Sequence, residues 1–220
     1  YIGNNDSADG VSAVLPEPLG FNWQIRDITY IAERESGGSL TDGEVSSYWS
    51  DRAVEWITDN PGAFARLYLE KLYRHISNLE ISNNRPLGSF FERMPWLAYN
   101  PLQFYMLFAL AMAGIVATVR RSRASLLIAT ALVVFVLASA LFFFNSRFRL
   151  PLMPPLIVLA SAGLFTFIDR LRGQRGPLIL PALALVTAGT LSLVNLVPLP
   201  PGSSPQALTA AANSAYARGD

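Results

Sequence analysis

Residues 125–168 read SLLIATALVVFVLASALFFFNSRFRLPLMPPLIVLASAGLFTFI. The stretch joins two long apolar runs, Ser125–Phe144 and Leu150–Ile168, through a short loop that holds two arginines. A membrane-spanning helix needs about 20 mostly apolar residues, because helical residues rise about 1.5 Å each across about 30 Å of hydrocarbon. Neither run contains an ionisable side chain. Both are therefore predicted to be transmembrane helices.

Two further runs of the same kind, Leu102–Val119 and Leu178–Val197, flank this stretch. The alternative is a soluble helical bundle, but the surface helices of such a bundle carry a polar stripe, which these runs lack. The sequence thus predicts a mainly α, polytopic membrane protein. It would have four transmembrane helices within residues 98–197, after an extracytoplasmic helical head formed by residues 1–97.

Charge is distributed unevenly between the two parts. Of the 220 residues 51% are hydrophobic and none is cysteine; residues 1–97 hold fourteen acids and eight bases, whereas residues 98–197 hold one acid and eight arginines. A nucleic-acid-binding protein needs clustered lysines and arginines on a soluble face. An acidic head therefore argues against nucleic acid as a partner.

Arginines in the short loops predict the orientation, since basic residues are retained on the cytoplasmic side. The first and third loops hold six of them: Arg120, Arg121, Arg123, Arg170, Arg172 and Arg175. Both loops are predicted to be cytoplasmic. The head, the loop Asn145–Arg149 and the tail would then lie outside, which corresponds to a bacterial inner membrane with head and tail in the periplasm.

Within the head, the sequence predicts two helices. One runs from about Thr41 to Asp59, with Asp42 or Thr41 as its N-cap and an apolar face that includes Val45 and Trp49. The second begins at Pro61 and continues to about Asn78. Basic residues surround the apolar face of the second helix, which could lie in the outer headgroup layer or pack on a domain. They are Arg66, Lys71, Arg74 and His75.

The loop between the second and third predicted spans carries two arginines, although it is predicted to lie outside, where the positive-inside rule does not call for basic residues. Because a residue before proline favours extended geometry, Arg147 and Arg149 are predicted to project from one face of an extended segment. Prolines at the start of the next helix fit its first turn, where backbone N–H groups lack intrahelical partners. The sequence predicts a phosphate site here, for which a lipid phosphate is suited. In the alternative, both arginines only anchor the span in headgroups.

Three groups of residues resemble a known family. Arg147-Phe148-Arg149-Leu150-Pro151 resembles the Arg-aromatic-Arg-Leu-Pro pattern of GT-C membrane glycosyltransferases that use polyprenyl-phosphate sugars, which are related to protein O-mannosyltransferases and aminoarabinose transferases. Tyr1-Ile2-Gly3-Asn4-Asn5 with Asp9-Gly10, and residues 47–84, look similar to members that modify bacterial envelope components. Residues 206–220, after a proline-rich linker at 198–205, look like the start of a tetratricopeptide repeat.

The resemblance implies an enzyme that moves a sugar from a polyprenyl-phosphate donor to a hydroxyl of an acceptor glycan, lipid or protein on the outer membrane face. Members of the family place the catalytic carboxylate in the first outside loop, which would lie upstream of Tyr1. The chain is therefore expected to be the C-terminal part of such an enzyme, and no catalytic base is assigned within it. Neither a cofactor nor a metal site is expected, because the lone His75 has no partners at ligand spacing.

Candidate substrate-binding residues are few. Arg147 and Arg149 are predicted to contact the donor phosphate. Glu80, Asn83 and Asn84 offer a carboxylate and two amides to sugar or acceptor hydroxyls, with a helix-ending turn as the alternative. Asn4, Asn5 and Asp9 are interpreted as turn formers before ligands.

Two other classes of function stay open at this stage. One is a membrane-anchored scaffold whose extracytoplasmic segments bind partners, for which the two arginines of the loop would be dispensable. The other is an envelope polysaccharide polymerase or ligase, which would take a whole glycan on a lipid diphosphate.

Overall fold

The computed structural model describes residues 1–11, 24–81, 94, 103–173, 176 and 178–198. Within these residues the chain is helical, which confirms the mainly α class. The elements are α1 (Ile25–Ser36), α2 (Asp42–Asp59), α3 (Pro61–Ile76), α4 (Phe104–Thr118), α5 (Arg123–Ser139), a 3-10 helix (Ser146–Leu152), α6 (Met153–Leu171) and α7 (Ile179–Leu193). Asn83 and Asn84, the proline-rich linker beyond Pro198 and the repeat-like tail lie outside the described residues.

The prediction of four transmembrane helices is wrong. Among the described residues, one continuous helix, Ser146–Leu171, is long and apolar enough to cross a membrane. The other apolar helices, α4, α5 and α7, have 15, 17 and 15 residues. At about 1.5 Å per residue they extend about 22–26 Å, which is short of about 30 Å of hydrocarbon.

The largest discrepancy lies at the end of the second predicted span. Helix α5 ends at Ser139, and the next residues bind the N-terminal segment instead of extending the helix. The N–H of Phe144 donates to the carbonyl of Gly10 (2.7 Å), and the Asn4 amide donates to the carbonyl of Leu141 (2.7 Å). A Cβ on Gly3 would lie 2.8 Å from the carbonyl carbon of Phe142. Hydropathy alone cannot distinguish an apolar strip that binds another segment of the protein from the end of a span.

The chain divides into two compact units. Unit 1 comprises Tyr1–Lys71 and Ala138–Phe144, and unit 2 comprises Leu72–Leu137 and Asn145–Asp220.

In unit 1, α1 and α2 enclose a small core of Ala32, Val45 and Trp49. Helix α2 begins as predicted, with Thr41 as its N-cap. Helix α1 was not predicted, although its sequence carries a start signal: Asp27 accepts the backbone N–H of Gln24 (2.7 Å), and Gly37 closes the helix with φ 78°.

In unit 2, α4 packs closely against α6 and α7. A Cβ on Gly114 would lie 1.9 Å from the Leu159 carbonyl oxygen, and one on Gly163 would lie 2.1 Å from the Leu110 carbonyl oxygen. The two backbones therefore touch directly, as they do where small residues line contacts between membrane helices. Phe104 at the start of α4 contacts Arg149 just before α6 begins, and further along Gly114 faces Gly163, so α4 and α6 run parallel.

The membrane-length helix exposes most of its surface. Only 28% of its most apolar 18 residues are buried, and Ile157, Val158 and Phe165 are more than half exposed. A core helix of a soluble protein is mostly buried, which this helix is not. The part of the chain that the structure describes thus contains one candidate membrane-spanning helix.

Candidate functional site

The 3-10 helix at the start of the membrane-length helix separates the two predicted phosphate ligands. Asn145 caps it by accepting the N–H of Arg147 on its side-chain oxygen (3.1 Å), which starts a helical turn at Ser146. In a 3-10 helix, residues two positions apart point to different sides. Arg147 is exposed, whereas Arg149 is 2% exposed. The predicted extended pair on one face is therefore wrong, because the cap at Asn145 outweighs the preference that Pro151 imposes on its neighbour.

Arg149 is bound by protein groups on several sides. Its Nη2 donates to the backbone carbonyls of Arg74 (2.5 Å) and Ser77 (2.6 Å), at the C-terminal end of α3. Its guanidinium carbon lies 4.4 Å from the centroid of the Phe104 ring, in the first turn of α4. A cation at a helix C-terminus is favourable, because the unsatisfied carbonyls carry partial negative charge. Arg149 thus fastens three elements of unit 2 together.

Glu80 lies beside this arginine. Its Oε1 is 3.3 Å from Arg149 Nη1, and its side chain is 48% exposed. Two hydrogen bonds between Ile81 and Ser146 hold the segment that carries Glu80 in place. The Ile81 N–H donates to the Ser146 hydroxyl (2.6 Å), and the Ser146 N–H donates to the Ile81 carbonyl (3.2 Å). The structure therefore brings together Glu80 and Arg149, two of the predicted site residues.

Arg147, in the same 3-10 helix as Arg149, has an exposed side chain. Its guanidinium carbon lies 5.3 Å from the centroid of the Phe148 ring, a distance typical of a cation–π contact. The N–H groups of Ser146 and Arg147 already donate to Ile81 and Asn145. A phosphate at this helix start would be bound by the guanidinium and not by those two backbone donors.

The basic residues at the end of α3 are buried in the structure, so of the two options for this helix, packing on protein is the one observed for them. Arg74 is 2% exposed and His75 is 1% exposed, and Arg74 Nη2 donates to the Pro198 carbonyl (3.3 Å). Both residues lie in the last turn of α3, where Arg149 also binds. Arg74 contributes its backbone carbonyl to the site, which the sequence did not predict.

In unit 1, Asn5 and Asp9 act as turn formers, as predicted, whereas the side chain of Asn4 donates to the Leu141 carbonyl and accepts from Lys71. The side-chain oxygens of Asn5 and Asp9 each accept the N–H two residues on, at 2.9 Å. Sequence reasoning missed the role of Lys71, which is fully buried and donates to the Gly3 carbonyl and the Asn4 side-chain oxygen, both at 3.0 Å. Burial lowers the pKa of Lys71 from 10.5 to about 8.

No protein-family model, curated protein or solved structure matches the chain. Within the described residues, no group of three His, Asp or Glu side chains is arranged to hold a metal ion. The functional conclusion therefore depends on the residues around Arg147.

Proposed function

We propose that the chain acts in glycosyl transfer from a polyprenyl-phosphate sugar to an acceptor hydroxyl, and that Arg147 binds the donor phosphate. The observation that carries the proposal is the exposure of Arg147 at the start of the membrane-length helix Ser146–Leu171. A lipid-linked phosphate lies at the boundary between hydrocarbon and water. A guanidinium at that depth can bind it through two parallel charge-assisted hydrogen bonds.

The neighbouring residues support this role for Arg147. Arg149 binds the carbonyls of α3 and so fixes the turn from which Arg147 projects. Glu80 remains half exposed after its contact with Arg149 and can accept a hydrogen bond from a sugar hydroxyl. As phosphate leaves, its growing negative charge is stabilised by fixed cations, which lowers the barrier to transfer.

Arginines gathered at one end of the pair formed by α4 and α6 support an orientation in the membrane. Because α4 and α6 run parallel, Arg120 and Arg121 after α4 lie at the same end as Arg170 and Arg172 of α6. The positive-inside rule assigns that end to the cytoplasm. The proposal therefore assigns Arg147 to the outer face of a bacterial inner membrane, where a periplasmic acceptor would meet the donor.

Binding of polyprenyl phosphate to the full chain in lipid vesicles tests the proposal. Arg147→Ala is expected to lower the affinity roughly 10- to 100-fold, since a charge-assisted contact contributes about 1.5–3 kcal/mol. Arg147→Lys should recover part of the loss, because an ammonium keeps the charge but not the two-pronged geometry. The matched control is Arg120→Ala, an exposed arginine at the other end of α4.

Two outcomes would contradict the proposal. Equal affinity of Arg147→Ala and the unaltered chain would remove the phosphate site and favour a membrane-anchored scaffold. Affinity for polyprenyl diphosphate that far exceeds affinity for the monophosphate would favour a polysaccharide polymerase or ligase.

A further inference from the structure

Unit 1 contains a cavity that plays no part in the phosphate site. It has a volume of about 470 Å³ and lies between α1, α2 and the first two residues of the chain. Small-molecule sites typically enclose about 300–1,000 Å³. The cavity is therefore of a size that accepts a small ligand.

One wall of the cavity is apolar and aromatic. Ile2, Ile28 and Val45 line it beside Tyr1 and Trp49, whose ring centroids are 5.0 Å apart at an interplanar angle of 47°. The Trp49 indole N–H donates to the Ile28 carbonyl (3.3 Å), which fixes the ring against α1. This wall is ordered before any ligand arrives.

Helix α2 also brings oxygen atoms to the cavity. Asp42, Ser46 and Ser50 follow one another at four-residue spacing, so they form a single stripe along α2. The Ser50 hydroxyl donates its hydrogen to the Ser46 carbonyl (2.9 Å), so the hydroxyl oxygen of Ser50 can act towards a ligand as an acceptor. Asp42 lies exposed in the first turn of α2, where a carboxylate is favourable.

We infer that this cavity binds a single pyranose ring of a glycan. A pyranose has one apolar face of C–H groups and a rim of hydroxyl donors. The apolar wall, through its half-buried residues Tyr1 and Ile2, matches the first, and the carboxylate and hydroxyl acceptors of the α2 stripe match the second. An apolar ligand would leave the carboxylate rim unused, and an anionic ligand would be repelled by Asp42.

Saccharide titrations of the full chain in detergent micelles test this inference. The probes are methyl α-D-mannopyranoside, methyl β-D-glucopyranoside and N-acetylglucosamine, with saturation-transfer NMR as the readout. At least one sugar is expected to bind saturably, with stronger transfer to its ring C–H protons than to its methyl group. Asp42→Asn should weaken this binding about tenfold, while Asp51→Asn, an exposed carboxylate of α2 outside the cavity, should not.

A second variant separates ligand contact from misfolding. Ser46→Ala removes one hydroxyl from the exposed rim, so it should lower the affinity without changing the thermal midpoint. Absence of saturable transfer for all three sugars would overturn the inference, as would equal affinity of Asp42→Asn and Asp51→Asn. The test is independent of the phosphate proposal, because Arg147→Ala should leave the sugar titration unchanged.

Discussion

The two units stabilise their helices by different means. In unit 1 polar side chains tie helix to helix: Arg52 Nη1 lies 2.5 Å from Glu35 Oε2 and 2.8 Å from the Tyr48 hydroxyl, which also donates to Glu35. In unit 2, glycines let the backbones of α4 and α6 touch.

This difference separates two ways of holding helices together. In water, apolar burial drives helices together, and side-chain hydrogen bonds at helix ends replace contacts that water would otherwise make. Between helices in lipid the hydrophobic drive is absent, so close packing and hydrogen bonds must stabilise the contact. Unit 2 relies on packing, with Arg149 as its main polar fastener.

Gly114→Ala should have the largest effect on stability. Its Cβ would overlap the Leu159 carbonyl oxygen, so α4 and α6 must move apart, and we expect a loss of about 3 kcal/mol or more. The thermal midpoint in micelles measures it. The control is Gly189→Ala in α7, where the new Cβ meets only the Ala109 Cβ at 3.5 Å. Equal midpoints for the two variants would refute the close contact of α4 with α6.

Arg149→Leu should have the next largest effect. It leaves the buried carbonyls of Arg74 and Ser77 without this donor, which we expect to cost about 3 kcal/mol. Arg147→Leu, at the exposed position two residues earlier, should leave the thermal midpoint nearly unchanged. The pair distinguishes a fastening arginine from a ligand-binding one. If Arg149→Leu retained full stability, its position as the link between α3 and α4 would be wrong.

Lys71 should make the stability of unit 1 depend on pH. Its pKa is lowered to about 8 in the folded chain, against 10.5 for an ordinary lysine, because it is buried. Between these values the folded chain binds fewer protons than the unfolded chain, so the free energy of unfolding should rise with pH, by about 2–3 kcal/mol. Thermal midpoints from pH 8 to 10.5 would show the rise, and Lys71→Met should lack it. A parallel rise in Lys71→Met would assign the effect to other groups.

The sequence predicted much of the helical content because capping and periodicity are local signals. Helices α2 and α3 begin as predicted, at a Thr41 cap and at Pro61. Span lengths were overestimated because hydropathy registers apolar residues whether they face lipid or protein. Residues 140–144 are as apolar as a span, but they bind the N-terminal segment through partners more than 100 positions away.

The candidate site was only partly predictable for a similar reason. Arg147 and Arg149, two basic residues in a loop predicted to lie outside, identified the site, but the sequence could not show that Arg149 is buried. That difference arises from the Asn145 cap and from carbonyls of α3, about 70 residues earlier in the chain. Lys71 and the cavity beside Trp49 likewise depend on tertiary contacts.

The smallest expected effect is at the start of α2. Thr41 Oγ1 accepts the Glu44 N–H (3.4 Å) and donates to Glu44 Oε2 (2.7 Å), while its N–H donates to the same carboxylate (2.8 Å). Thr41→Ala removes the two hydroxyl contacts and should cost about 1 kcal/mol, whereas Thr41→Ser should retain them. Amide hydrogen exchange should then quicken in α2 of unit 1 and stay unchanged in α4 of unit 2. Faster exchange in α4 as well would mean that the two units unfold as one, and the separate modes of stabilisation would no longer be distinguishable by mutation.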